Sequence, residues 1–388
     1  MDTPRDVERA LRSAEPHGLL PVVRDEITDR YGATSVDLLM ADYAMTMLQP
    51  VPALPYAVEP IPVNASAPGR AFASQEPHAE TDQFSSLVTL HLPVSVRGDR
   101  IGVLSVCLPA ERHTPQVVRE LQEIAEILGY AIMVAERDTD LYLQARRATR
   151  LTLAAEMQWQ LLPGRSCSRP QYALGAQLEP AYAVYGDNFD WSATADHLTL
   201  TVTDGMGEGI EAALLTNLAI NALRNARRAG LSLPDQAYLA DQAVYGHYRG
   251  SVYLSTLLLR FELATGQVEI VDAGSPRVWL LRDGVVEEIS LEPQLPLGMF
   301  EDTPYTTEHI QVRAGDRLVF LSDGAHDVAS PSGERYAEKA LARALLSTRL
   351  LPPSQVPRAI LQELAGHRGS AEALDDAVVV CLDWRGGP

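Results

Sequence analysis

Five aspartates stand at four well-separated places in the second half of the chain. Asp204 lies in Thr203-Asp204-Gly205-Met206-Gly207-Glu208-Gly209, where a strand ends and a helix opens. Asp187 lies in Tyr185-Gly186-Asp187-Asn188-Phe189-Asp190, Asp323 in Leu321-Ser322-Asp323-Gly324, and the pair Asp375-Asp376 in Leu374-Asp375-Asp376-Ala377-Val378. Each sits beside an apolar run that reads as a strand, as though several strands deliver carboxylates to one rim. No single local segment needs that arrangement. A site for hard divalent cations does, because an all-oxygen donor set suits magnesium, manganese or calcium better than zinc or copper. A bound divalent cation lowers the pKa of its water and offsets nearby negative charge. The chain offers no Gly-x-Ser-x-Gly elbow and no Cys-x5-Arg phosphate loop as a rival nucleophile.

Alone, Asp204 would read as a turn aspartate before a glycine; its companion motifs shift the balance toward a metal site. Gly205, Gly207 and Gly209 suit a carbonyl turned toward a cation with a helix starting directly after, a backbone that side chains disfavour. Asp190 reads equally as a surface or strand-edge residue, and Asp316 in Ala314-Gly315-Asp316 as a hairpin turn. Glu208 and Glu211 are also what a solvated helix start selects, since acids suit its dipole.

The elements that must position these residues are legible from the pattern. Leu198 to Val202, Ser255 to Glu262, Gln267 to Val271 and Val278 to Leu281 alternate or run apolar, with tight turns at Ala264-Thr265-Gly266 and Arg282-Asp283-Gly284. Leu318 to Leu321 and Ala377 to Leu382 complete the strands. Helical spacing covers about Ile210 to Ala229, Pro234 to Tyr248, Ala337 to Ser347 and Ser354 to Leu364. The layer arrangement that fits is two antiparallel sheets between helices.

The ordered set Gly-Asp, Asp-Gly-Met-Gly-x-Gly, Ser-Asp-Gly, Asp-Asp resembles the SpoIIE-type branch of the PPM (protein phosphatase 2C-like) metal-dependent serine/threonine phosphatases. Ala155-Glu156-Met157-Gln158-Trp159-Gln160-Leu161-Leu162-Pro163 is similar to the helix that leads into that domain, and Leu295-Pro296-Leu297-Gly298 and Ala314-Gly315-Asp316 fall in the family's order. The resemblance covers roughly residues 150 to 385. It implies an α-β-β-α sandwich and two Mn2+ or Mg2+ ions. Asp204 would bridge both and the Gly205 carbonyl would ligate the first. Asp187 would hold the first directly or through water. Asp323 and Asp375 would hold the second, and Asp376 could replace Asp375. It further implies hydrolysis of phosphoserine by a metal-activated water, on a phosphorylated STAS-type anti-sigma antagonist in a partner-switching pathway. Departures stand at Tyr185 (often Gly), Glu208 (often His), Ser275 (often His) and Val378 (often Thr). They motivate the alternative of a weak or inactive phosphatase-like regulator that acts by binding a partner.

The first half has a helix, hairpin, long loop, hairpin, helix order. Val7 to Tyr31 is helical with a break at Pro16-His17-Gly18. Ser35 to Met40 and Ala44 to Val51 form one hairpin, and Pro50 to Pro68 a loop. Leu87 to Val96 and Ile101 to Leu108 form a second hairpin, followed by a helix from Pro115 to Arg137. With Leu92-Pro93-Val94 and Ile101-Gly102-Val103-Leu104, this resembles a GAF domain, a pattern that PAS domains partly share. The expected organisation is α+β: a GAF-like α/β sensor at 1-136, a helical linker at 137-163 and the phosphatase domain at 164-388. A sensor ligand would be a small molecule; His78 and His91 are lone histidines, more often packed or solvated than ligating.

Val134, Leu141, Ala148, Ala155 and Leu162 recur every seven residues, with Ala145, Thr152 and Trp159 between. That spacing predicts a continuous helix that either packs on its own domain or pairs two chains; the resemblance favours a homodimer. The 388 residues, 46% hydrophobic and 21% charged, describe a globular chain of two domains. A net charge of −19 argues against nucleic-acid binding. Three scattered cysteines and an N-terminus without a basic-then-apolar pattern suit a cytoplasmic protein, and no apolar run is long enough for a membrane span.

Overall fold

The computed structural model describes residues 3–51, 59–81, 85–179, 183–274, 276–369 and 375–387. The contacts divide the chain into two units, Met1–Arg150 and Leu151–Pro388.

The first unit contains helices α1 (Thr3–Ser13) and α2 (Leu19–Tyr31), strands β1 (Ser35–Ala41), β2 (Met47–Pro50) and β3 (Ile61–Pro62), and helix α3 (Ala67–Ser74). Strands β4 (His78–Thr81), β5 (Leu87–Val96) and β6 (Asp99–Pro109) and helices α4 (Pro115–Ala135) and α5 (Leu141–Ala145) follow. The strands form one antiparallel sheet in the order β3-β2-β1-β6-β5-β4. Period-two alternation sorts its faces. Leu38, Met40, Leu92, Leu104 and Val106 pack against Val23, Ile27, Leu121, Ile124 and Leu128 of α2 and α4. Leu39, Ala41, Leu48 and Val103 face Phe72 of α3. Helix α4 starts where Pro115 follows Thr114, whose hydroxyl accepts from the Val117 amide. His91 is packed, its Nδ1 2.8 Å from the Ser105 hydroxyl. Of the expected Pro50–Pro68 loop, residues 52–58 lie outside the described residues, while Ile61–Pro62 forms β3 and α3 begins at Ala67.

The continuous linker helix does not form. Helix α4 ends at Ala135, α5 spans only Leu141–Ala145, and α6 (Leu153–Leu161) begins separately. The reason is local competition for the same residues. Tyr142 is fully buried in the first unit's core and its hydroxyl donates to the Pro16 carbonyl at 3.0 Å. Arg146 Nε donates to the Ala41 carbonyl at 3.2 Å. Thr152 then caps a new helix by accepting from the Ala155 amide. Of the seven-residue stripe, Ala148 is left exposed, while Ala155 is buried within the second unit. The division between units falls at Arg150/Leu151, inside the span expected to be one rod.

The second unit continues with β7 (Ser166–Ser168), β8 (Tyr172–Glu179), β9 (Asn188–Ala193), β10 (His197–Asp204), α7 (Gly209–Arg228) and α8 (Leu233–Tyr248). Strands β11 (Ser255–Glu262), β12 (Gln267–Ala273), β13 (Arg277–Arg282), β14 (Val285–Glu288), β15 (Glu308–Gln311) and β16 (Arg317–Leu321) follow. Helices α9 (Asp323–His326), α10 (Tyr336–Ser347) and α11 (Val356–Arg368) and strand β17 (Ala377–Trp384) end the unit. Two antiparallel sheets result, ordered β15-β12-β11-β10-β9 and β14-β13-β16-β17-β8-β7. Leu200, Leu257, Leu259, Phe320, Val378 and Val380 fill the space between them. The alternate residues face outward: Leu258 and Val271 meet α7 and α8, and Val319, Val379 and Cys381 meet α10 and α11. This is the expected four-layer order. The short edge strands β14 and β15 were not legible as runs, since charged residues occupy much of both.

Candidate metal centre

Strand register brings the aspartates to one rim. In the first sheet β10 pairs antiparallel with β9, Thr203 opposite Asn188. Asp187, just before β9, and Asp204, the last residue of β10, therefore reach the same end. In the second sheet β16 pairs with β17, Leu321 opposite Val379, which places Asp323 and the Asp375-Asp376 pair together. The Ser322 hydroxyl secures that end by accepting from the Val378 amide at 2.9 Å.

Two close backbone approaches hold these turns together. A Cβ on Gly205 would lie 2.3 Å from the Gly186 carbonyl oxygen, so only glycine lets the Asp187 and Asp204 turns touch. Gly207 and Gly209 have φ of 98° and 64°, the left-handed backbone expected of this segment; Gly205 is required by contact, not by its φ. Similarly, a Cβ on Gly324 would lie 1.8 Å from the Asp376 carbonyl oxygen. The Thr216 hydroxyl of α7 donates to the Gly186 carbonyl at 2.7 Å, fixing the first turn from the helical side.

Across the sheets, the Asp323 amide donates to Asp204 Oδ2 at 3.4 Å. Asp376 Oδ2 accepts from the backbone amides of Tyr185 (2.9 Å), Gly186 (3.1 Å) and Asp187 (3.3 Å), and from Gln158 Nε2 at 3.1 Å. Gln158 Nε2 also lies 3.3 Å from the Asp187 carbonyl oxygen, to which it donates.

The electrostatics are those of crowded, partly dehydrated carboxylates. Burial pushes Asp204 up to about 7, with the charges of Asp323 and Asp375 adding to it and the Asp323 amide easing it. Asp375 rises to about 6 through burial and Asp323. Asp376 rises to about 7 through burial, against relief from its amide and Gln158 donors. Asp187, 1% exposed, is held well above the usual carboxylate range by burial, then by Asp204 and Asp376. The Ser322 hydroxyl nearby eases the shift, yet among the described residues neither side-chain oxygen of Asp187 completes a hydrogen bond. Two orphaned buried oxygens facing other carboxylates fit a divalent cation, which would satisfy them and cancel the repulsion. Among the described residues, no three acidic, His or Cys side chains converge closely enough to hold an ion as they stand.

The neighbouring acids divide clearly. Asp190 takes the strand-edge reading and not the surface one: it lies on β9, the edge of its sheet, is 3% exposed and pairs with Arg224 at 2.8 Å and Arg227 at 3.0 Å. Arg224 also donates to the Leu161 carbonyl, tying α6 to α7. Asp316 sits in a turn, buried against Arg282, but the turn is not the expected hairpin: it joins β15 of one sheet to β16 of the other. Glu208 and Glu211 are exposed at the start of α7. Ser275 lies outside the described residues. Gln158 and Thr216 carry hydrogen bonds that motif reading missed. The available signal for Gln158 was a polar residue on the otherwise apolar face Ala154, Ala155 and Leu161.

Residues 194–385 match the family model described as Stage II sporulation protein E (SpoIIE). Protein IcfG of Synechocystis sp. is 21% identical over 257 residues, covering 58% of this chain and 40% of that protein. Phosphoserine phosphatase RsbU of Bacillus subtilis is 21% identical over 212 residues, covering 54% of this chain and 63% of RsbU. The chain thus spans less than two thirds of either relative. Among solved structures, the SiaA-PP2C domain of Pseudomonas aeruginosa superposes with a TM-score of 0.51 at 20% identity, over 60% of this chain and 94% of that one. That likeness concerns the fold. Among the described residues, no helix is long and apolar enough to cross a membrane.

Proposed function

We propose that this chain, whose residues 194–385 form a SpoIIE-family PPM phosphatase domain, is a cytoplasmic metal-dependent phosphoprotein phosphatase. Its substrate in this reading is phosphoserine on a STAS-type regulatory protein, and its first unit is a GAF-like sensor for a small molecule. The observation that carries the catalytic part is that Asp187 and Asp204 of one sheet and Asp323 and Asp375 of the other reach one rim, near enough for their charges to raise the pKa of Asp187 and Asp204. The name of RsbU supports the substrate class. Exposed Tyr130, Met133 and Val134 on α4 support a homodimer.

In this reading Asp187, Asp204 and the Gly205 carbonyl would hold a first Mn2+ or Mg2+, and Asp204, Asp323 and Asp375 or Asp376 would hold a second. When bound, such ions supply a more acidic water and neutralise phosphoryl charge. The chain's own part is placement. The Gly186–Gly205 contact sets the spacing of Asp187 and Asp204, and the Asp323 amide orients Asp204. The expected result is manganese-dependent phosphate release from a phosphoserine peptide and from p-nitrophenyl phosphate, abolished by chelator. A folded protein with neither turnover nor manganese binding would instead support a non-enzymatic regulator, the reading that the departures at Tyr185, Glu208 and Ser275 favour.

Proton competition gives a second test. The raised pKa values of Asp204, Asp375 and Asp376 mean that the folded site holds more protons than the unfolded chain, whose aspartates titrate near about 3.9. Between that value and about pH 7 the site's contribution to stability therefore falls as pH rises. Manganese should raise Tm more at pH 8 than at pH 5.5, and its apparent affinity should drop roughly tenfold or more over the same descent. Scanning calorimetry checks the first and titration calorimetry across that range the second; a pH-independent affinity would exclude these carboxylates as ligands.

Regulation by the first unit predicts that the full chain and a form beginning at Leu151 differ in rate or metal affinity. Identical values for both quantities would refute coupling.

A further inference from the structure

We propose that the cavity between the end of β12 and the start of β13 is a docking subsite for a lysine or arginine of the phosphoprotein substrate, a few residues from its phosphoserine. This rests on the metal-dependent phosphatase reading above.

The cavity has a volume of about 420 Å3, at the small end of the range for ligand sites. Register fixes where it lies. Asp204 stands opposite Ser255 on β11, and the next residue of β11, Thr256, stands opposite Ala273 at the end of β12. In the other sheet Arg277, which opens β13, stands opposite Leu321, just before Ser322 and Asp323. The cavity, lined by Asp272, Arg277 and Val278, is therefore at the same end of both sheets as the aspartates. In the order β12-β11-β10, two strand spacings part it from Asp204, about 10 Å. An extended peptide covers such a distance in about three or four residues.

One segment, tied to both sheets, holds the walls. The Ile289 amide donates to the Val278 carbonyl at 2.8 Å, and the Gln294 amide to the Asp272 carbonyl at 2.8 Å. Ile289 and Leu291 pack on the core between the sheets and give the cavity an apolar side. Asp272 shares the strand parity of Val268 and Ile270, which face that core, and is 6% exposed. Packing alone would select an aliphatic residue there. Glu288, also on the wall, has a side chain 36% exposed and pairs at 3.2 Å with Arg277, whose side chain is 60% exposed. An ion pair so open contributes little, so an incoming cation can displace Arg277 from Glu288 at small cost.

A lysine or arginine matches both parts of this lining. Its aliphatic stem suits Ile289 and Leu291, and its head suits Glu288 and Asp272. An acidic side chain would instead meet two carboxylates against one guanidinium. The net charge of −19 also favours the approach of a basic segment.

The test uses the full-length protein with manganese and phosphoserine peptides carrying one arginine about three or four residues to either side of the phosphoserine. Peptides with alanine or glutamate at the same place are the comparisons. The quantity read is the ratio of kcat/KM for the arginine peptide to that for the alanine peptide. Wild type should give a ratio of about ten in one of these placements, as a charge-assisted hydrogen bond allows. Glu288→Gln should bring the ratio close to one, and Glu288→Arg should reverse the preference toward the glutamate peptide. Asp272→Asn should lower the ratio as well. Glu288 lies at the surface, so its variants decide should the Asp272 variant fail to fold. A wild-type ratio near one in every placement would overturn the subsite, as would a preference left unchanged by both Glu288 variants. Turnover of p-nitrophenyl phosphate, too small to reach the cavity, judges the phosphatase reading separately. Wild type that neither binds manganese nor turns over would sink that reading, and the same peptides, fluorescently labelled, would then judge the subsite by the ratio of their affinities.

Discussion

Asp204→Ala is expected to abolish manganese-dependent phosphate release, a loss of about 10³-fold or more, because metal charge stabilisation is worth several kcal/mol in a transition state. Asp204 ends β10 at the point where the two sheets meet, and its Oδ2 takes the Asp323 amide. It is the carboxylate proposed to serve both ions, so its removal should affect both. The metal-free protein should not suffer. Asp204 is pushed up to about 7 by burial and by Asp323 and Asp375, so at pH 8 its charge is a burden on the fold. Alanine removes that burden, and the variant's metal-free Tm at pH 8 should equal or exceed that of wild type. The pair of measurements separates a lost site from a lost fold. A variant with unchanged Tm and a manganese-dependent rate within a few-fold of wild type would contradict the assignment of Asp204.

Gly324→Ala should give the largest effect of a single added methyl group. Its Cβ would sit 1.8 Å from the Asp376 carbonyl oxygen and 3.2 Å from Asp375 Cβ, so the backbone entering β17 must move. Overpacking of this kind costs typically about 1–3 kcal/mol, and here the obstacle is main chain, which cannot rotate away. At about 2–4 °C of Tm per kcal/mol for a unit of this size, the fall should be readily seen by calorimetry. The displaced segment carries both Asp375 and Asp376, so manganese affinity should weaken along with stability. A stable variant with wild-type manganese affinity would show that the Gly324–Asp376 approach is not needed. Gly284, with φ of 79° but no atom within 4 Å of a built Cβ, is a comparison in which only backbone strain is at stake.

The carboxylate set, most of the strands flanking it and the glycine turn after Asp204 were legible in the chain because each depends on local pattern. Leu257 and Leu259 alternate with Leu258 because the two faces of β11 meet different layers. The short edges β14 and β15 left no such trace, since an edge strand carries charge as readily as a loop does. The linker misled for a related reason. A seven-residue recurrence records which residues are apolar, not what covers them, and in-chain packing of Tyr142 took precedence over a continuous rod.

By itself, then, the sequence determined that several strands end in aspartates suited to hard cations, and that sheets and helices alternate in the order a sandwich needs. Only the tertiary structure decided which neighbours each of those aspartates meets. Asp375 and Asp376 are adjacent and chemically identical. What separates them is the three amides of a turn some 190 residues earlier and one glutamine on α6, all aimed at Asp376. Contacts of that sequence separation leave no periodicity to read. They arise only when two sheets close on each other and bring one strand's carboxylate into another strand's turn.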